Sequence, residues 1–258
     1  MREEFRMSAI IPKSYVCYRA ESPLRIDGRL NEPSWKRAPW TPLFVDIEGD
    51  VRPLPRFATR AMMLWDDQYF YFAADLEEPE VWGTLTKRDS VICNDNDFEI
   101  FIDPDGDGEH YMEFEINPLN AVWDLYLPKA YNKGGQADQD WDFAGIKHAV
   151  QVDGTLNCSD DVDRGWTVEV AIPWTAMAEH AHTACPPRPG DQWRVNFSRV
   201  EWTFERHKGG YLRKDQPPCD NWVWSPQGAI NMHIPEMWGY VQFSSIVAGC
   251  GEEEFQRR

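Results

Sequence analysis

The chain has 258 residues, 42 % of them hydrophobic, with 13 Trp and a formal net charge of −17. That length suits one large all-β domain with a sizeable core, while so acidic a surface repels phosphate backbones and anionic lipids and makes nucleic acid and membranes poor partners. The six Cys show no C-x-x-C spacing, which excludes a zinc ribbon and a thioredoxin motif, and no apolar run is long enough to span a bilayer.

Residues 1–14 read as a flexible leader. The opening MREEFRMSAIIPKSYVCYRA lacks an apolar core segment with a cleavage site. The expectation is a cytoplasmic protein with free thiols, or a secreted one whose leader has been removed. LRIDGRLNEPSWKRAP (24–39) reads as a strand stub, a turn and a helical turn, with Pro33 suited to a helix start and Asn31 as its cap. FATRAMMLWDDQYFYFAADLEEP (57–79) alternates, breaks at Asp66-Asp67 and resumes, as a hairpin does. DFEIFID and HYMEFEIN form a second strand pair around a Gly- and Asp-rich loop, followed by AVWDLYLP (121–128). A polar loop (129–145) leads to the strands KHAVQVDG and GWTVEVAIP (165–173), then to one or two helical turns in WTAMAEH (174–180). QWRVNFSRVEW (192–202) is a strand, 203–235 reads as long and irregular, and WGYVQFS (238–244) closes the fold before an acidic tail (246–258). Many short strands and almost no long helical pattern predict an antiparallel β-sandwich, immunoglobulin-like or jelly-roll-like, as a single domain over 15–245.

Side chains alternate across a strand, so Phe98, Ile100 and Ile102, with Met112, Phe114 and Ile116, make one apolar face. The opposite face carries Glu99, Phe101, Tyr111, Glu113, Glu115 and Asn117, and is either solvated sheet or the floor of a polar groove. Between the strands, DPDGDGEH begins as an EF-hand does, but the twelfth position from Asp103 is Phe114 rather than the Glu an EF-hand needs. A looser Ca²⁺ site on Asp103, Asp105, Asp107 and Glu109 is the alternative to a plain Gly-rich turn. Glycoside hydrolysis needs two opposed carboxyl groups; Glu99, Glu113 and Glu115 could supply such a pair, and nothing in the sequence singles out which. No nucleophile elbow, P-loop, dinucleotide fingerprint or HExxH is present. A last constellation joins SRVEW to DNWVWSPQG and offers Arg199, Glu201, Trp202, Asn221, Trp222, Trp224 and Gln227, the planar aromatics and polar groups that sugars require; at least one of Trp222 and Trp224 is expected to plug the sandwich instead.

With these stretches identified, IDGRLNEPSW, LWDDQYFYFAADLEEP, NDNDFEIFIDPDGDGEHYMEFEINP, GWTVEVAIPW and PEMWGYVQF resemble, in order, the landmarks of family 9 carbohydrate-binding modules, over about residues 15–245. The resemblance implies a β-sandwich binding module of the kind appended to xylanases, gripping the reducing ends of glucans and xylan, with structural Ca²⁺ common. It implies that Glu99 bonds sugar hydroxyls and that Glu115 stands where the family has a basic residue. The family's two stacking Trp positions fall near Cys93 or Asn94 and near Met232. The chain looks more like the roughly single-domain relatives. The leading expectation is therefore a non-catalytic saccharide-binding protein using Glu99, Glu115, Asn117, Arg199, Glu201, Trp202, Trp222 and Trp224. A hydrolase using Glu99 and Glu115, and a structural docking module, are the competing readings.

Overall fold

The computed structural model describes residues 10–257 apart from 215 and 217, so most of the expected leader lies outside the described residues. The chain runs β1 (Ser14–Arg19), α1 (Pro33–Arg37), β2 (Val45–Asp46), β3 (Thr59–Trp65), β4 (Tyr69–Glu77), β5 (Asp97–Asp103), β6 (Glu109–Ile116) and β7 (Val122–Lys129). It continues through β8 (Lys147–Asp153), β9 (Gly165–Pro173), α2 (Trp174–Met177), β10 (Gln192–Glu201), β11 (Thr203–His207), β12 (Gly210–Lys214), β13 (Asp220–Val223) and β14 (Gly239–Val247). Ten strands follow one hydrogen-bonded path, β7-β6-β5-β10-β14-β1-β3-β4-β9-β8, with β13 joining β10 to β2. The path folds back on itself as a sandwich. Phe72 of β4 meets Phe197 of β10 edge to face at 6.0 Å, and Phe70 meets Phe243 of β14 at 5.2 Å, so the two halves close over one aromatic core. Aromatic pairs in such geometry add about 0.5–1.5 kcal/mol each beyond simple burial.

The alternation read from the sequence holds: Phe98, Ile100, Ile102, Met112, Phe114 and Ile116 all lie in that central core. Two features depart from expectation. β1 is parallel to both β14 and β3, so the sandwich is not purely antiparallel. Segment 203–235, expected to be irregular, contains the β11–β12 hairpin and β13; the hairpin is a separate two-stranded sheet with no fully buried residue, so it has no core face to announce it. Residues 251–257 take no regular structure, and the Glu253 amide donates to the Tyr18 hydroxyl at 3.0 Å.

The outer face of the β1-β3-β4-β9 layer is sealed by the segment read as turn plus helix. Pro33 does open α1, but Glu32 rather than Asn31 is its N-cap. Glu169 of β9 accepts from the Asp27 amide at 2.9 Å, the Gly28 amide at 2.7 Å and the Trp35 indole at 2.7 Å. Gly28 sits at φ +80°, and a Cβ there would lie 2.8 Å from the backbone of Gln151. The turn needs glycine both for its dihedral and for its close approach. This network ties IDGRLNEPSW to GWTVEVAIPW, two stretches far apart in sequence.

Candidate functional site

The other layer carries on its outer face a pocket of about 470 Å³. Strand register builds its floor. Glu99 of β5 lies directly opposite Glu115 of β6, Glu115 opposite Trp123 of β7, and Glu99 opposite Ser198 of β10. One step along the sheet, Phe101 pairs with Glu113 and Glu113 with Leu125. Because alternate side chains share a face, Glu99, Glu113, Glu115 and Trp123 converge on the same side. The walls come from Trp202, just beyond β10, from Tyr131 after β7, and from the 230–233 segment. Trp202 is fixed by its indole donating to the Cys93 carbonyl at 3.0 Å and by the Arg213 guanidinium 4.2 Å from its ring centre. Tyr131 packs edge-on to His233 at 4.5 Å.

The floor is not solvated sheet. Glu99, Glu113 and Glu115 are 5 %, 4 % and 3 % exposed. Burial lifts the Glu99 carboxyl to about 7. Burial, and then the neighbouring Glu99, push Glu113 and Glu115 well up. Asp97, one step along β5, is pushed up by burial and by both Glu99 and Glu115. One oxygen from each of Asp97, Glu99 and Glu115 lies within 4.8 Å of the others. The Cys93 amide donates to Glu115 at 3.0 Å, while Asp97 Oδ2 and Glu113 Oε2 are buried without a hydrogen-bond partner. Such groups are costly to bury unmet.

Of the eight residues expected to bind the ligand, Glu99, Glu115 and Trp202 line this pocket and five do not; Asn221, from the same constellation, lines it as well, whereas Gln227 does not. Asn117 is fully buried, donating to Leu85 O and Asp95 and accepting from the Leu119 and Ala121 amides, so it braces the β6–β7 turn. Arg199 and Glu201 have the opposite parity on β10 from Ser198, Val200 and Trp202, and point into the sandwich. There Arg199 pairs with Glu78 at 2.7 Å and with Glu201 at 2.8 Å, all three buried. Trp222 stands 5.1 Å from that guanidinium and Trp224 packs on Phe197, both in the central core. The sequence grouping joined two faces of one strand. Glu113, placed by the sequence on the same face, also lines the pocket, and Trp123 and Tyr131 are pocket residues that the sequence reading passed over; the alternation Ala121-Trp123-Leu125, set in register with Glu115, was the available signal for Trp123.

In the Asp-rich loop, Asp103 accepts from the Gly106 and Gly108 amides at 2.9 and 3.0 Å, and burial lifts it to about 7. Its carboxylate lies within 4.8 Å of those of Asp105 and Asp107, whereas Glu109 turns to Lys129 at 3.3 Å. Ca²⁺ takes six to eight oxygens. The loop offers three carboxylates toward such a set, one of them already holding two amides, and carboxylates alone are not evidence of a metal; Asp105 and Asp107 also accept from the Asp107 and Glu109 amides.

Residues 26–186 match the family described as "Carbohydrate family 9 binding domain-like". The chain belongs to this family. A 117-residue stretch is 26 % identical to the exoglucanase XynX of Acetivibrio thermocellus, covering 45 % of this chain and 9 % of that protein, so the chain spans under a tenth of that curated relative. Among solved structures, a Bacteroides uniformis protein proposed to bind carbohydrate superposes with a TM-score of 0.65 at 17 % identity, covering 90 % of this chain and 99 % of that one. A family 9 module from Caldicellulosiruptor kristjanssonii in complex with cellotriose gives 0.56 at 13 % identity over 94 % of this chain and all (100 %) of that one. At these identities the likeness is one of fold. The positions at which the sequence resemblance placed the family's stacking Trp residues, Cys93, Asn94 and Met232, all line the pocket found here. In this family member the aromatic surface comes instead from Trp123, Trp202 and Tyr131.

Proposed function

We propose that the protein binds the end of a small saccharide or polysaccharide chain, of glucan or xylan type, without cleaving it. The observation that carries this is the pocket itself: a floor of carboxylates between the indoles of Trp123 and Trp202, at the positions where the family resemblance puts its sugar site. Indole faces suit the C–H faces of a pyranose, and a few converging polar groups in a largely apolar pocket fix orientation. The module from Caldicellulosiruptor kristjanssonii, solved with cellotriose and with glucose, supports the same reading.

Geometry favours binding over hydrolysis. A glycosidase sets its two carboxyl groups on either side of the scissile bond, one of them ionised as base or nucleophile. Glu99 and Glu115 stand side by side on adjacent strands of one floor, and burial pushes both toward the protonated form. Titration calorimetry with glucose, cellobiose and xylo-oligosaccharides, with and without Ca²⁺, tests the reading. Saturable heat with at least one sugar is expected; none with any sugar refutes it.

A further inference from the structure

Resting on that saccharide reading, we propose that the pocket selects sugars bearing a protonated amine over their neutral counterparts. The floor holds three glutamates, Glu99, Glu113 and Glu115, with Asp97 beside them, and among the described residues that line the pocket none is Lys or Arg. The one lining histidine, His233, is tied to the Tyr111 hydroxyl at 2.9 Å, and burial holds it down to about 4, so it brings no positive charge at neutral pH. The guanidinium of Arg213 is committed to the Trp202 ring and to the Asn94 carbonyl at 2.6 Å. Other buried carboxylates have fuller sets of partners: Glu78 and Glu201 have Arg199, and Glu169 has two amides and an indole. The pocket floor has the Cys93 and Ile92 amides at Glu115 and the Ser198 side chain at Glu99, and no cation among its described lining residues. Glu113 is 4 % exposed, lines the cavity, and its Oε2 has no hydrogen-bond partner.

An ammonium group is the ligand chemistry that meets these conditions. It supplies up to three donors and one positive charge, which draw the floor carboxyls, held toward the protonated form by burial, into the ionised state that accepts them. It is attracted to indole faces, of which the pocket offers Trp123. The sugar ring carrying it accounts for what an ion alone does not: the room of about 470 Å³ and the apolar walls of Phe101, Leu125, Val200 and Met232. A bare divalent cation would use the floor and leave those walls idle.

The test uses three disaccharides that differ only at C2: the β-1,4-linked glucosamine dimer, cellobiose, and N,N′-diacetylchitobiose, which carry ammonium, hydroxyl and acetamide. Calorimetry at neutral pH is expected to show the glucosamine dimer binding roughly tenfold or more tighter than the other two, the range charge-assisted hydrogen bonds provide. Added NaCl should shrink that advantage, and the affinity ratio should fall toward one in Glu113→Gln and Glu115→Gln, each first checked for a cooperative melt. The salt series on the unaltered protein stands even if a variant misfolds. Equal affinity for all three sugars at low salt overturns the amine preference and leaves the saccharide reading intact. Binding of none overturns both. Stoichiometric Ca²⁺ binding abolished by Glu115→Gln, with no preference for the amine, overturns the inference in favour of an ion site.

Discussion

Replacing Glu99 by Gln removes a titratable group from the pocket floor while preserving its size. Glu99 is 5 % exposed and lies across the sheet from Glu115. Burial raises its carboxyl from an ordinary 4.5 to about 7. A folded-state value above the unfolded one means that the fold prefers the protonated acid. The stability this contributes is fully present below about pH 4.5 and is lost as pH rises through about 7. Each unit is worth ~1.4 kcal/mol, so a difference of about 2.5 units costs the native state roughly 3 kcal/mol by pH 8. Gln resembles the protonated acid at every pH. Glu99→Gln should therefore match the parent near pH 4.5 and exceed it by about 3 kcal/mol at pH 8, a gain of roughly 6–12 °C in Tm for a chain of this size. Urea unfolding of both proteins from pH 4.5 to 8.5 reads this directly. Parallel stability curves, or a variant weaker at pH 8, would show that the fold satisfies the charged form. The account of an uncompensated acidic floor would then fall, and with it the electrostatic basis for an amine-bearing ligand.

Arg199→Met leaves Glu78 and Glu201 buried without their cation and should cost about 3–5 kcal/mol in urea unfolding, most of it recovered when both glutamates are also changed to Gln. The tryptophans should divide cleanly. Trp222→Ala should cost about 3–5 kcal/mol of stability, whereas Trp123→Ala should cost about 1–2 kcal/mol and weaken saccharide binding roughly tenfold or more, since Trp222 lies in the core and Trp123 lines the pocket. Gly28→Ala places a Cβ at φ +80° and 2.8 Å from the Gln151 backbone, and should cost about 1–3 kcal/mol, with faster hydrogen exchange at the Asp27 and Gly28 amides that Glu169 holds.

Most of the sandwich was legible in the sequence because its strands carry clean two-residue alternation. β3 and β4 break at Asp66, whose Oδ1 accepts the Gln68 and Tyr69 amides, and the apolar faces of β5 and β6 lie in the core as read. What escaped reading did so for specific reasons. β1 is a six-residue strand whose parallel partners, β14 and β3, are fixed only by the closure of the sheet. The β11–β12 hairpin has no buried face. At the site, composition could nominate tryptophans but not sort them: Trp222 and Trp224 sit among polar residues in sequence yet fill the core, while Trp123 sits within an apolar strand yet faces the pocket. Sorting them requires register, which pairs Trp123 with Glu115 and places Arg199 on the inward side of β10.

The acidic residues of this chain fall into three electrostatic situations, and the contrast among them is what locates function. Glu78 and Glu201 share the guanidinium of Arg199, although burial still pushes Glu201 up. Glu169 collects the Asp27 and Gly28 amides and the Trp35 indole, which double as the clasp between distant segments, although burial still lifts it to about 7. The pocket glutamates have the burial of the first two groups without a cation; the Cys93 and Ile92 amides at Glu115 and the Ser198 side chain at Glu99 are less than three carboxylates require, and Glu113 Oε2 has no partner. The fold gains no stability from this arrangement. At pH 7 the floor is held there at a cost that only a proton or a donor-rich ligand can relieve. The same imbalance that makes Glu99→Gln stabilising makes the pocket a binding site, and stability and ligand affinity should move in opposite directions when its carboxylates are neutralised one by one.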